Sequence, residues 1–210
     1  MKTSIITTRY AFILGVVALI CTVISAGIYL LTKSRIDYVT AQQQRALLLE
    51  VVPQNYFDND LLATCKVVDL AEAKFLNKIY IAKKSEKVTA YAIQATAPDG
   101  YSGNIVLLSG IQPNGTVLGV RTLAHKETPG LGDKIETRIS DWIYAFSGQQ
   151  FSVENESQWA VKKDGGQFDQ FTGATITPRA VVNNVRQSAK WVIEELNQSP
   201  ELIERFKDCH

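Results

Sequence analysis

Histidine and cysteine are scarce in this chain of 210 residues, which holds two of the first and three of the second. His125 and His210 stand far apart, and no CxxC pair or zinc-type spacing links the cysteines. A structural metal site, which must gather several such ligands, is therefore not expected. An excess of one charge is also missing. Lys and Arg number 22 against 21 Asp and Glu, a formal net charge of +1. That balance excludes the clustered basic surface needed to track phosphates along a nucleic acid. There is no internal repeat, no long low-complexity tract and no GxGxxG segment of the nicotinamide-binding kind. What is present, 46% hydrophobic and 20% charged residues, suits one globular domain plus one additional element.

The additional element is N-terminal. Phe12 to Thr32 reads FILGVVALICTVISAGIYLLT, without a charge. About 20 apolar residues cross a bilayer core as a helix that satisfies its own backbone hydrogen bonds. A cleaved signal is the competing reading, with Ile24-Ser25-Ala26 imitating a cleavage site. Signal cores run only about 7–15 residues, so a retained anchor is expected. Cys21 follows bulky Ile20 rather than a small residue, which argues against lipid attachment and leaves it facing lipid or packing. Lys2 and Arg9 flank one end and Lys33 and Arg35 the other, so charge does not orient the helix. Outside the membrane run only Cys65 and Cys209 remain. They could pair in an oxidising compartment, or stay as a buried Cys65 and a free tail thiol; both readings remain open.

Lys33 to Glu50 continues the helix outward, with an apolar end at Leu47–Leu49, Val51 and Val52, and Pro53 stops it. Asp58–Val68 is expected as a short helix carrying Cys65. Strand patterns follow at Lys78–Lys83, Lys87–Ala97, Asn104–Ile111 and Thr116–Ala124. Gln112-Pro113-Asn114-Gly115 is a hairpin-type turn, so the last two strands should pair antiparallel. Asp141–Phe146 reads as a short amphipathic helix with Trp142 and Phe146 on one side. Pro178–Leu196 is the strongest helix, with an apolar stripe of Val181, Val182, Val185, Ala189, Val192 and Leu196 and with Thr177 as expected N-cap. Strands followed by helices give an α+β domain around a largely antiparallel sheet with flanking helices.

Three segments carry more than packing. Asp99-Gly100-Tyr101-Ser102-Gly103 lies between strands, and its glycines permit tight turns and close approach to a ligand. His125-Lys126-Glu127-Thr128-Pro129-Gly130-Leu131-Gly132-Asp133-Lys134 follows a strand and offers backbone N–H groups and a hydroxyl. Asp169-Gln170-Phe171-Thr172-Gly173-Ala174-Thr175-Ile176-Thr177-Pro178 leaves Thr175 accessible just before a helix N-terminus, a favourable place for a phosphate. Taken singly, each also reads as an ordinary connection.

Together, the DGYSG, HKETPGLGDKIE and TGATITP segments with the anchor resemble the G subunit of Rnf ion-translocating electron-transport complexes. The ETPGLG and GAT elements are also similar to the C subunit of the sodium-translocating NADH:quinone reductase. The resemblance implies an extracytoplasmic FMN-binding domain over residues 58–210, after a cytoplasmic N-terminus (1–11), a transmembrane helix (12–32) and a helical linker (33–57). It implies FMN placed from FAD by a flavin transferase as a phosphoester on the last threonine of DxxTGAT, here Thr175. Asp169 matches the acidic position of that motif, read by the transferase, and Thr172, Gly173 and Ala174 match its centre. Thr128, Gly130 and Leu131 match positions that touch the flavin ring. Glu127, Gly132, Lys134, Tyr101, Ser102, Gly103 and Thr177 are further candidates for the same cleft. Trp142 and Trp159 are read as core, and His125 as an exposed loop residue. The implied partners are the other membrane and redox subunits of the complex and the membrane itself. The implied location is the bacterial cytoplasmic membrane, spanned once, with the domain on the periplasmic side. The implied role is electron relay between ferredoxin and NAD coupled to ion movement, with no independent turnover. The competing class is a membrane-anchored binding or sensor domain without covalent flavin. A soluble flavin reductase is disfavoured by the anchor.

Overall fold

The computed structural model describes residues 2–70 and 73–209; Met1, Ala71, Glu72 and His210 lie outside the described residues. The chain falls into two units, Met1–Gln44 and Arg45–His210. Helix α1 runs Lys2–Val51. Its stretch Tyr10–Lys33, 24 residues of mean hydropathy 2.6, contains the expected apolar run and is the one helix long and apolar enough to span a bilayer among the described residues. Two hydroxyls in that stretch are satisfied within the helix. Thr22 donates to the Ala18 carbonyl at 2.8 Å and Thr32 to that of Ile28 at 2.8 Å, as a helix in hydrocarbon requires.

The second unit is a six-stranded sheet of order β5-β4-β3-β2-β1-β6 with antiparallel neighbours throughout. The strands are β1 (Lys66–Val67), β2 (Leu76–Lys84), β3 (Lys87–Gly100), β4 (Gly103–Ile111), β5 (Val117–Ala124) and β6 (Lys207–Asp208). The expected Gln112–Gly115 turn joins β4 to β5, and the Gln112 N–H donates to the Thr116 carbonyl at 2.8 Å.

Central strand β3 is buried on both faces, and the pleat sends alternate side chains to opposite cores. Ala90 and Ala92 join Leu48, Val51 and Val52, at the end of α1 and just beyond it, in one core. Tyr91, Ile93, Ala95 and Ala97 join the other core, against helix α2 (Ile176–Trp191). Small residues face the first layer because the chain approaches closely there. Gly110 of β4 and Gly119 of β5 are paired neighbours, and a Cβ on Gly110 would sit 2.0 Å from the Val51 carbonyl oxygen. Pro53 follows directly and ends the helix as expected.

The whole predicted stripe of α2, Val181 to Leu196, is buried. Each valine covered there contributes about 1.5–3 kcal/mol of transfer free energy. The helix ends in one wider π-type turn, Val192–Leu196. Beneath it Phe146 stacks on Phe168 at 4.5 Å, and Phe151 meets Trp159 edge-on at 5.7 Å. Trp159 is a core residue as expected.

Three local expectations are corrected. Residues 58–68 are not a helix: one tight turn, Leu62–Thr64, leads to extended Cys65 and β1. The segment instead completes the edge of β2. Thr64 accepts the Ile81 N–H at 2.9 Å, and Asn59 accepts the Lys83 N–H at 2.8 Å. Unpaired strand-edge groups outweigh the propensity of a short helix. Trp142–Phe146 is a 3₁₀ helix whose buried face is Ile143 and Phe146, because three residues per turn align i with i+3. Trp142 is only partly buried and donates its indole N–H to the Asp169 carbonyl at 2.8 Å. Thirdly, Thr177 is not the N-cap of α2, as described below. Of the two cysteine readings, the structure has the bridge. Cys65 and Cys209 are joined, Cα to Cα 5.4 Å, beside the β1–β6 pair.

Candidate functional site

The three singled-out segments converge at one end of the sheet. DGYSG is the tip of the β3–β4 hairpin, where Gly100 faces Gly103 across Tyr101 and Ser102. The loop beginning at His125 leaves β5 and returns through a tight turn at Asp133–Ile135. The TGAT segment leads into α2.

Between them lies a cleft of about 250 Å³. The hairpin contributes Tyr101, and the middle loop contributes Glu127, Thr128, Leu131 and Gly132. Gly173, Ala174 and Thr175 line it from the third segment, followed by Ile176 and Thr177 of the first helical turn. Ser102, Gly103, Gly130, Lys134 and Thr172 are not among the lining residues. The Lys134 ammonium instead lies 6.0 Å from the Phe171 ring centroid. Ile176, 44% exposed, was missed by sequence reasoning. The available signal was its place between two motif threonines, where an apolar residue has no core to enter. With Tyr101 and Leu131, 67% and 42% exposed, it gives the mouth an apolar rim.

Gly173 has a φ of 82°, a left-handed turn that a side chain would disfavour. It swings the chain so that Thr175 becomes the N-cap residue of α2, with its carbonyl accepting the Arg179 N–H at 3.3 Å. The Thr175 side chain makes no capping bond. Among the described residues its hydroxyl has no hydrogen-bond partner; it is half-buried in the cleft wall, next to first-turn N–H groups that lack intrahelical partners. Thr177 sits two residues further on, inside the helix and 1% exposed. Its hydroxyl donates to Glu127 Oε2. Burial against the loop, rather than capping, is what this threonine does. Pro178 is accommodated because the N–H it lacks would have had no intrahelical partner.

Glu127 is 5% exposed, and its other oxygen accepts the Ser102 N–H at 3.0 Å. Its own N–H donates to His125 Nδ1 at 3.0 Å, while His125 Nε2 lies 2.6 Å from Glu136 Oε1. His125 is thus largely buried, its side chain 11% exposed, a correction to the exposed loop residue expected. Its ring has work on both nitrogens. Arg138 bonding, opposed by burial and joined by His125, holds the Glu136 carboxyl down from its ordinary 4.5 to about 2. Asp169 stays on the surface, paired with Lys162 at 2.6 Å.

An uncommitted hydroxyl, a helix N-terminus and an apolar-rimmed cleft together suit a phosphate ester carrying a flat, largely apolar ring. The residues present therefore fit the flavin that the resemblance implies.

Comparison with known families agrees. Residues 1–51 match the RnfG N-terminal region, and residues 100–190 match the FMN-binding domain, which takes in the second and third segments whole and the first from Gly100 on. Over 200 residues the chain is 60% identical to the G subunit of the ion-translocating oxidoreductase complex of Pasteurella multocida, covering 94% of this chain and 99% of that protein. The corresponding G subunit of Salmonella typhimurium is 50% identical over 195 residues, 92% of this chain and 95% of its own. That of Vibrio cholerae is 49% identical over 193 residues, 90% and 92%. Among solved structures, Shewanella oneidensis NqrC aligns over 74% of this chain and 72% of its own, with 18% identity and a TM-score of 0.45.

Proposed function

The chain belongs to the G-subunit family of ion-translocating oxidoreductase complexes, and on that premise we propose that it relays electrons within such a complex through FMN bound covalently to Thr175. The observation that carries this reading is the uncommitted Thr175 hydroxyl at the N-terminus of α2, in the cleft wall. Attachment needs a nucleophilic hydroxyl free of other bonds. The Thr175 oxygen attacks the flavin-side phosphorus of FAD in a flavin transferase. A Thr–O–P bond forms, the pyrophosphate bond breaks, and AMP leaves with the charge while the hydroxyl proton passes to a base.

Once the phosphate is held, first-turn N–H groups and the helix dipole of α2 offset its charge. FMN supplies the reversible uptake and release of electrons. The chain's own residues position it. Thr128 and Leu131, which line the cleft, would give hydroxyl and apolar contacts to the ring, with Gly130 beside them in the same loop, and Tyr101 and Ile176 would keep water from the mouth. Gly173 and Ala174 keep the attachment point unhindered, and Asp169 stays exposed for the transferase to read. Glu127, Gly132 and Thr177 line the same cleft, while Ser102, Gly103, Lys134 and Thr172 stand in the neighbouring segments outside its lining. The complex exchanges electrons between ferredoxin and NAD and couples this to ion movement, with other membrane and redox subunits as partners. The domain lies on the periplasmic side of the cytoplasmic membrane. The Cys65–Cys209 bridge supports that side, because disulfides persist in oxidising compartments.

The test is intact mass of the full chain made with an active flavin transferase. Wild type should be heavier by one FMN less one water. Thr175→Ala should lose the adduct, and Thr175→Ser, which keeps a hydroxyl at the same place, should retain it. An adduct persisting in Thr175→Ala refutes the attachment site. Flavin that leaves wild type on denaturation would return the chain to the reversible binders.

A further inference from the structure

We propose that Glu127 is the positioning residue of the cleft: its carboxylate, with both oxygens committed to protein partners, ties the three separate segments together and so sets the attitude of the attachment threonine. The inference rests on reading the cleft as the FMN site.

A carboxylate that is 5% exposed and has no ion pair among the described residues is costly to keep. Its position explains why it is kept. One oxygen accepts the Ser102 N–H at the hairpin tip at 3.0 Å, and the other accepts the Thr177 hydroxyl in the first turn of α2. Glu127 itself stands on the middle loop, and its N–H donates to His125 Nδ1. One side chain thus bridges residues 25 and 50 positions away. Thr177 lies two residues beyond Thr175, in the same turn, so the bond fixes the turn on which the attachment hydroxyl sits. Two glycines, Gly100 at the end of β3 and Gly132 in the Glu127 loop itself, leave room for the carboxylate. A Cβ on Gly100 would come within 3.0 Å of Glu127 Oε1, and one on Gly132 within 2.9 Å of Glu127 Oε2 and of Thr177 Oγ1. At Gly132 the space a side chain would fill is held by the bridge, and at Gly100 it is shared with the Gly103 carbonyl oxygen, 2.3 Å from such a Cβ.

Geometry and charge separate cleanly at this position. A glutamine keeps both contacts: its carbonyl accepts the Ser102 N–H, and its amide donates to the Thr177 oxygen. The experiment compares full-length wild type, Glu127→Ala, Glu127→Gln and Thr177→Val. Hydrogen exchange is read on protein made without transferase, and flavin load on protein made with it. Glu127→Ala should speed exchange at Ser102 and the start of α2 by about tenfold or more, with the centres of β2 and β3 unchanged. Its flavin load should fall in step. Glu127→Gln should restore both. Thr177→Val, which cuts one leg only, should loosen the start of α2 and lower the load while Ser102 stays protected; it decides the matter if Glu127→Ala does not fold. Unchanged exchange and load in Glu127→Ala, or in Thr177→Val, overturn the proposal. So does a Glu127→Gln that fails as badly as Glu127→Ala, since the charge would then be what matters. Wild type without flavin despite an active transferase would sink the FMN reading alone, because the exchange arm still reports whether Glu127 holds the segments.

Discussion

Breaking the Cys65–Cys209 bridge should lower the stability of the second unit by an amount the chain length sets. The two cysteines are 144 residues apart, so the bond closes nearly the whole domain into one loop. In the chain-entropy account a loop of that size removes about 5 kcal/mol of freedom from the unfolded chain. The native state limits the loss. Without the bridge, the final segment is held by Ile203 and Phe206, both buried, by the two-residue β1–β6 pair, and by the Cys209 N–H bonded to the Cys65 carbonyl at 3.0 Å. If that segment frays, the native state regains entropy and the deficit shrinks, so about 5 kcal/mol is the upper bound. At roughly 2–4 °C per kcal/mol for a domain of this size, the melting temperature should fall by roughly 10–20 °C if the bound is reached. The assay is thermal unfolding of the full chain in detergent, comparing wild type with the Cys65→Ser, Cys209→Ser double variant, alongside mass spectrometry of folded, unreduced, alkylated protein. Two alkylated thiols outside the membrane helix in wild type would show there is no bridge. A melting temperature lowered by less than about 3 °C, with the bridge demonstrably present, would refute the entropic reasoning.

Two further outcomes test the fold. Gly110→Ala places a Cβ 2.0 Å from the Val51 oxygen, whereas Gly119→Ala meets the Glu50 oxygen at 3.0 Å. The first should cost about 1–3 kcal/mol or more in denaturant unfolding and the second less; equal or reversed costs would mean that the end of α1 is not seated there. Glu136 has its folded pKa depressed, chiefly by Arg138, from 4.5 to about 2. Its contribution is therefore fully present above about pH 4.5 and lost as pH falls toward 2. The stability difference between wild type and Glu136→Gln should fade across that window in urea titrations at stepped pH, and a constant difference down to pH 2 would contradict it.

Local patterning made much of this protein legible before any coordinates. The uncharged run at residues 12–32 needed only its length, because a bilayer core sets the number of turns that cross it. Four of the six strands and the stripe of α2 followed from period and turn chemistry, which are set by near neighbours along the chain. The TGAT segment was legible because Gly173 and the helix start that follows it are local features. What failed or was missed depends on partners far along the chain. Residues 58–68 lost their helix to the unfilled edge of β2, and Cys65 went with them into an extended turn. Thr177 looked like a cap because it stands before Pro178, but the helix begins earlier and its hydroxyl turns inward to Glu127, 50 residues away. His125 looked like loop, yet the tertiary fold brings Glu136 to one ring nitrogen and the Glu127 N–H to the other. β1 and β6 are two residues each, too short for any periodicity, and exist because the bridge and the sheet edge bring them together. The sequence by itself determined which segments are apolar and where turns interrupt them, as those depend on near neighbours. Only the tertiary structure decided which buried polar groups meet, because their pairing depends on where distant segments end once the cores have packed.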